Sequence, residues 1–481
     1  MLLKVLLLLA LLHSLIVAGI VIWEKRNPTS ALAWLLAITF LPFLGVWLYL
    51  LFGRRRFRQR AKSMTLADRK VREALPRPPD PLDADERWSS LRGRIHPAQR
   101  GLMMLARNIG EFAVTEKNRT KVLRDASLAY PAMEEAILGA RQYVHVEYYI
   151  FEPDATGRRF LELLAEKARA GLEVRLLVDH FGSGGLTRDF LAPFLEAGGR
   201  FSFCMETRFP HLLTLWRLNY RNHRKIIVVD GATGFTGGMN IGDNYLGRDH
   251  RVGYWRDMHL QLDGPAVGDL QRIFAEDWLH ATGEILADPR YAPLAAARGD
   301  DLVQIIPSGP DMRWDPIHKL LFEAIVTAGQ RVYITSPYFI PDATILQALT
   351  TSALRGVDVR LLLPGKSDLP LVRLAGRSYF EELLQAGVRI FEYQAGVLHA
   401  KTLVADGRYG SIGSANMDIR SFHLNFEVNA FVYSEALAGE LEEIFLDDLR
   451  QAREITLAEE EELPLHLKLP ERLARLLSGL M

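Results

Sequence analysis

The chain has 481 residues, 49% apolar and 24% charged, which is enough for two or three domains around a sizeable core. Lys plus Arg and Asp plus Glu number 58 each, so the formal net charge is zero, and a general nucleic-acid binder, which carries a basic excess, is disfavoured. A single cysteine, Cys204, excludes an intrachain disulfide.

The first elements are apolar. Residues 5–23 carry no formal charge, and residues 31–52 are 22 positions without one. A helix of that length spans roughly 33 Å, about the hydrocarbon thickness of a bilayer. The two runs predict a transmembrane hairpin over residues 1–53, with spans at about 5–23 and 31–52. The first run also has the length of a cleaved signal peptide. Against that, no small-x-small site precedes "WEKRNPTS", and a second apolar run follows at once. Trp34, Trp47 and Tyr49 stand toward the ends of the second run, where interface aromatics sit. Lys25 and Arg26 occupy the loop, whereas Arg54, Arg55, Arg56, Arg58, Arg60 and Lys62 follow the second span. Six cations against two place everything after residue 53 in the cytoplasm, with those cations against anionic headgroups of the bilayer surface.

Residues 54–98 read as a basic, proline-rich linker ("PRPPDPLDADE"). From there one pattern occurs twice. "AILGARQYVHVEYYIFEPDATGRRFLELLAEKARAGLEVRLLVD" and "LLFEAIVTAGQRVYITSPYFIPDATILQALTTSALRGVDVRLLLPG" share the order helix, strand, "PDAT", helix, glycine, strand. Helices alternating with short apolar strands predict an α/β fold with a mixed or mostly parallel sheet. The duplication predicts two similar lobes facing each other, at residues 99–290 and 291–455. Residues 456–481 are expected to form a C-terminal amphipathic helix, either lying on a membrane surface or docked on the domain.

A second repeat carries chemistry. "HRKIIVVD" begins at His223 and "HAKTLVAD" at His399; both continue to a glycine and an asparagine, giving His-x-Lys-x4-Asp-x6-Gly-x-x-Asn twice. On a strand, side chains two apart share a face, so His223 and Lys225 point together, as do His399 and Lys401. Asp230 and Asp406 lie five positions past the lysines and are expected to hold backbone. Two lysines with Asn240 and Asn416 offer donors to a phosphodiester. Two imidazoles can serve as nucleophile and general acid. Neither repeat contains a metal-ligand cluster, so no metal and no other cofactor is expected.

The doubled string resembles the HKD signature of the phospholipase D superfamily, and within it the chain is similar to bacterial cardiolipin synthases. The similarity is carried by "VHVEYYIFEPDATG", "NYRNHRKIIVVDG", "GFTGGMNIGDNYLG", "WRDMHLQLDGPAV", "SPYFIPD", "LHAKTLVADG" and "GSANMDIRSFHLNFEVN". It implies two phospholipase D-type α/β lobes forming one catalytic domain behind the transmembrane hairpin, in the bacterial cytoplasmic (inner) membrane. It implies transfer of a phosphatidyl group from one phosphatidylglycerol to another, giving cardiolipin and glycerol. His223 would be the nucleophile and His399 the acid, although lobes so alike leave the reverse open. It also implies an orienting carboxylate downstream of each motif, here Asp257 and Glu427. Glu147 would bind substrate hydroxyls or pair with a lysine. Gly238 departs from the pattern: many relatives have Ser there, as this chain has Ser414 in its second copy. A hydrolytic phospholipase D would use the same histidines with water as acceptor. A nuclease would want a basic groove, and a non-enzymatic scaffold would have lost a motif residue. The oligomeric state is not set by the sequence.

Overall fold

The computed structural model describes residues 28–49, 95–110, 112–205, 220–248, 253–291, 298–367 and 369–476, with isolated residues between 15 and 22, between 70 and 75, and at 478. It divides into two compact units, one of residues 1–62 with 207–220 and one comprising the rest.

In the first unit the described part of the apolar run 31–52 is not one straight span. It forms helices Pro28–Phe40 and Pro42–Leu48, broken at Leu41 (φ −130°, ψ 67°). Proline disfavours helical geometry in the residue before it, and Leu41 precedes Pro42. The second helix turns back so far that a Cβ on Gly45 would overlap the Ala37 carbonyl. Val21, Ile38, Val46 and Tyr49 form a small core, with Trp34 edge-on to Tyr49 at 5.4 Å. No helix among the described residues is long and apolar enough to cross a membrane. The predicted span 5–23 and the basic stretch 54–62 fall largely or wholly outside the described residues.

The second unit is α/β. The strands of its first half are β1 (Thr115–Arg124), β2 (Tyr143–Tyr148), β3 (Glu173–Asp179), β4 (Arg200–Cys204), β5 (Lys225–Val229), β6 (Thr233–Gly237), β7 (Trp255–Arg256) and β8 (Met258–Asp263). Those of its second half are β9 (Asp301–Ser308), β10 (Arg331–Thr335), β11 (Phe339–Ile340), β12 (Asp358–Pro364), β13 (Arg389–Tyr393), β14 (Val397–Leu398), β15 (Thr402–Ala405), β16 (Tyr409–Gly413), β17 (Met417–Asp418), β18 (Glu427–Tyr433) and β19 (Ala452–Ile455). Among the described residues fifteen strands join in one sheet, in the order β19-β13-β12-β10-β15-β16-β18-β9-β1-β8-β6-β5-β2-β3-β4.

Outward from the antiparallel β1–β9 pair the two halves repeat each other: β8-β6-β5-β2-β3-β4 on one side, β18-β16-β15-β10-β12-β13 on the other. The lobes are thus halves of one mixed sheet related by a pseudo-twofold axis at β1–β9, and the sheet folds back so that β6 and β8 of the first half lie against β16 and β18 of the second. Helices Val267–Thr282 and Glu435–Leu449 fill a shared core on one face, with Phe274, Trp278, Leu441 and Phe445 buried. Helix Pro97–Gly110, within the expected first lobe, buries Leu102, Met103 and Ala106 in the core of the second.

Local signals account for the repeated elements. In each "PDAT" the aspartate caps the following helix: Asp154 accepts from Gly157 N–H and Asp342 from Ile345 N–H, both at 2.9 Å. Each of those helices is followed by a left-handed glycine, Gly171 or Gly356.

The motif aspartates sit at the turns of the β5–β6 and β15–β16 hairpins. Asp230–Gly231 and Asp406–Gly407 all have positive φ and are the central residues of tight turns within three-residue hairpin loops. Each carboxylate accepts three backbone N–H groups at 2.8–2.9 Å: Arg141, Gln142 and Tyr143 for Asp230, and Gly329, Gln330 and Arg331 for Asp406. They tie the entry of β2 or β10 to the hairpin that carries the motif. Asp406→Ala removes three charge-assisted bonds and puts a Cβ residue without compensation at φ 55°. It is expected to destabilise the domain by about 2–4 kcal/mol, seen as a lower urea midpoint with the m-value retained.

The C-terminal segment is docked on this unit. It forms helices Leu457–Glu462 and Leu465–Leu476, held by Arg377, which pairs with Glu471 and Glu392 at 2.9 Å and with Glu460. Its other face leaves Leu465, Leu469, Leu473 and Leu476 exposed.

Candidate functional site

The segment before each motif histidine leaves its own lobe and pairs with the other, Asn222 by a single parallel bridge to Phe426 and Val397–Leu398 as a short strand. His223 N–H donates to the Phe426 carbonyl (2.9 Å), and His399 N–H donates to the Arg256 carbonyl (2.8 Å). β14 likewise runs parallel to β7. Phe426 and Arg256 immediately precede Glu427 and Asp257. This places each histidine against the acid of the opposite lobe.

His223 Nδ1 lies 2.9 Å from Glu427 Oε2 and 3.1 Å from the Ser414 carbonyl. Both neighbours are acceptors, so Nδ1 carries the hydrogen and Nε2 holds the lone pair. His399 Nδ1 lies 2.7 Å from Asp257 Oδ2. The pairing is crossed: Glu427 of the second lobe holds the first histidine, and Asp257 of the first holds the second. An acid downstream of a motif therefore serves the other motif's histidine.

The lysines are buried beside the rings. Lys225 Nζ donates to the His223 carbonyl at 2.6 Å. Lys401 Nζ donates to the His399 carbonyl and lies 2.8 Å from His399 Nδ1. Burial pushes the Lys225 ammonium well below its usual value, with the charge of Lys401 adding to the effect. The two half-sites thus share one field: Lys401 acts on His223, and Lys225 on Asp257.

That field separates the two pairs. Burial pushes His223 down to about 4; Glu427 opposes this, while Lys225 and Lys401 reinforce it. Burial alone would raise Glu427, but the His223 imidazole, Lys225 and the Ser414 hydroxyl (2.5 Å from Oε2) hold it below the usual range. The first pair is therefore a neutral imidazole on a carboxylate. Asp257 is pushed up to about 6 by burial, against the pull of Lys401 and the Met258 N–H. That raised carboxyl faces His399 Nδ1 at 2.7 Å.

Gly238 stands where the second lobe has Ser414. A Cβ there would overlap Asp257 Oδ1 and lie 2.9 Å from its Cγ. The empty side chain is the room that the Asp257 carboxylate occupies.

The asparagines lie one step back. Asn240 Nδ2 donates to the Tyr245 hydroxyl (2.7 Å), which is 3.5 Å from His399 Nδ1. The Asn416 amide bonds the Asp418 carboxyl. Glu147 contacts neither a lysine nor a motif histidine in the hydrogen-bond network. It accepts from Asn222 Nδ2 (2.7 Å), and burial, together with the neighbouring Asp277, raises it well above the usual carboxyl value. Arg224 pairs with Asp277 at 2.5 Å, so Glu147 and Asp277 brace Asn222 and Arg224, the neighbours of His223.

Sequence reasoning missed three aromatics at the site. The Tyr149 ring is 4.8 Å from His223, with Lys225 Nζ 5.4 Å from its centroid, and Trp255 and Tyr245 are 5.1 and 5.7 Å from His399. Tyr149 stands two positions past Glu147 in "VEYYIF", but which strand aromatic faces the site depends on which way the strand's alternation runs. Phe339 of "SPYFIPD" is in the core.

Comparison with known proteins agrees with this architecture. Residues 133–278 and 321–449 match the family described as "Cardiolipin synthase, PLD-like domain", and residues 5–54 match "Phospholipase_D-nuclease N-terminal". A cardiolipin synthase of Geobacillus thermodenitrificans is 43% identical over 97% of this chain and 91% of its own length. One from Staphylococcus aureus is 40% identical over 98% and 95%. Among solved structures, the phosphatidylserine synthase of Haemophilus influenzae covers 79% of this chain and 100% of its own, with a TM-score of 0.59 at 15% identity, a likeness of fold. A duplicated sheet, two crossed histidine–carboxylate pairs and full-length relatives converge: the chain belongs to the cardiolipin synthase family of phospholipase D-like enzymes.

Proposed function

We propose that the protein transfers a phosphatidyl group from one phosphatidylglycerol to the headgroup of another, releasing glycerol and forming cardiolipin. The observation that carries this reading is the crossed pair of buried imidazoles, each held by the opposite lobe's carboxylate and flanked by two buried lysines.

His223 Nε2 attacks phosphorus as the bond to the glycerol oxygen breaks, and the proton held at His399 goes to that oxygen. A phosphatidyl-histidine remains. His399 then takes the proton of a glycerol hydroxyl on the second lipid, whose oxygen attacks phosphorus and frees His223. Lys225 and Lys401 supply positive charge where the phosphoryl oxygens gather negative charge. Glu427 and Asp257 fix the tautomers.

The enzyme works at the cytoplasmic face of the bacterial inner membrane, anchored by its N-terminal apolar runs. Leu465, Leu469, Leu473 and Leu476 form one exposed stripe at helical spacing beside Arg472, which suits a second contact with the headgroup region.

Purified protein in detergent micelles with labelled phosphatidylglycerol as sole lipid is expected to yield cardiolipin and glycerol. Phosphatidic acid without cardiolipin would instead mean that water takes the phosphatidyl group. A pH profile tests the nucleophile. With phosphatidyl-p-nitrophenol as donor, departure needs no acid, so the first step reports His223 alone. Its rate should hold from pH 7 downward and fall only as pH drops through about 4, where the imidazole gains a proton and loses its lone pair. A fall centred at the ordinary 6.5 would contradict a depressed His223.

A further inference from the structure

Cardiolipin contains two phosphates, and the symmetric cage of His223, Lys225, His399 and Lys401 accounts for one. On the reading above, the acceptor phosphatidylglycerol brings the second. We propose that Arg221 and Arg420 form its binding site, holding the acceptor's phosphodiester beside the His223 half of the centre.

Three observations point there. The first is position. Arg221 immediately precedes the Asn222–His223 segment, and its carbonyl accepts from Phe426 N–H at 2.8 Å. Arg420 begins the short turn that leads to the same strand, its carbonyl accepting from Asn425 N–H at 2.9 Å. Tyr149 links both to the reaction centre: its ring packs on His223, its hydroxyl hydrogen-bonds Arg221, and both arginine charges act on it.

The second is electrostatic. Two half-buried guanidinium groups are held within each other's field. Burial, and then the charge of Arg221, keep Arg420 below its usual value, even though Asp418, Tyr149 and Glu427 pull the other way. An anion between the two groups would relieve that repulsion, and a phosphodiester matches the guanidinium fork. The Arg221 guanidinium also lies 3.8 Å from the centroid of the Phe181 ring, which is 63% exposed and so leaves an approach from solvent or lipid.

The third is asymmetry. The shift of 176 positions that superposes the two motifs places Val397 opposite Arg221 and Asn244 opposite Arg420. Ile241 bridges Phe151 just as Met417 pairs with Phe339, so the correspondence holds in space. The catalytic groups are duplicated and these cations are not. A reaction that joins two copies of one lipid in different roles needs such a one-sided feature, because the donor and acceptor phosphates cannot both lie on the pseudo-twofold axis.

The test is a competition for the phosphatidyl-enzyme. Full-length protein in micelles receives phosphatidylglycerol together with ethanol, an acceptor that has no phosphate. The ratio of cardiolipin to phosphatidylethanol is independent of how much enzyme is folded. Arg221→Gln/Arg420→Gln is expected to lower that ratio at least about tenfold, and each single variant by a smaller factor. Arg→Lys at both positions should recover part of it, since charge remains without the fork. An unchanged ratio would overturn the proposal. So would a parallel loss of both products in the single variants, which would place the arginines in the first transfer. If wild-type protein makes phosphatidylethanol but no cardiolipin, the reading of the overall reaction fails instead.

Discussion

His223→Ala is expected to slow the first step, attack on the donor phosphorus, by about 10⁴-fold or more with every donor, while His399→Ala should slow that step only where the leaving group needs a proton. The difference follows from the two environments. His223 is a neutral ring whose Nδ1–H is fixed by Glu427 and the Ser414 carbonyl, so its lone pair is always presented. His399 Nδ1 faces a different partner, an aspartate pushed up to about 6. With phosphatidyl-p-nitrophenol the His399→Ala enzyme should still release one equivalent of nitrophenolate in a burst. It should then stall, because nothing takes the proton from the acceptor hydroxyl. Intact-protein and peptide mass spectrometry should find the phosphatidyl adduct on the peptide containing His223. A burst and adduct in His223→Ala, with none in His399→Ala, would exchange the roles. Full activity in either variant would end the two-histidine mechanism. Both side chains are nearly buried but line the centre, so circular dichroism and lipid association should match those of the unaltered protein.

What was legible in the sequence was whatever depends on short spacing. "DG" after an apolar run marks a tight hairpin turn, and "PDAT" marks a helix cap, because both depend on a few adjacent residues. His-x-Lys keeps imidazole and ammonium close for the same reason, although His223, His399 and Lys401 stand just outside the strands expected to carry them. Two features were hidden because they depend on long-range packing. Downstream position says nothing about which lobe a carboxylate will face, so the crossing of Asp257 to His399 and Glu427 to His223 emerged only from the strand exchange at β7 and β14. The sheet's continuity across β1 and β9 was equally silent, since each lobe taken alone has a complete alternation of helix and strand. The break at Leu41 did carry a signal, Pro42, but a long charge-free run outweighs one proline in any reading based on hydropathy.

Gly238 is the case where sequence and geometry give different accounts of one residue. Compared with Ser414, it reads as a missing hydroxyl donor. In the structure it is a space filled by the Asp257 carboxylate. The lobes solve the same problem with different partitions of volume: glycine with aspartate in one, serine with the longer glutamate in the other. Restoring the apparent consensus by Gly238→Ser should therefore damage the enzyme, because the new Cβ overlaps Asp257 Oδ1 and forces the carboxylate away from His399. Losing the group that orients a catalytic imidazole costs up to about 10⁴-fold in kcat, so a loss of about 10²–10⁴-fold is expected here. Gly238→Ala should behave alike, since the clash needs only the Cβ. KM should change little, because Asp257 acts through His399. The informative variant is Gly238→Ser/Asp257→Glu, which copies the second lobe's pair into the first. It should recover at least about tenfold over Gly238→Ser, whereas Asp257→Glu alone should be impaired. Such recovery would be strong non-additivity between two residues in direct contact, the signature of shared space. If Gly238→Ser were fully active, the carboxylate would have another place to sit, and the link between Asp257 and His399 would not limit the rate.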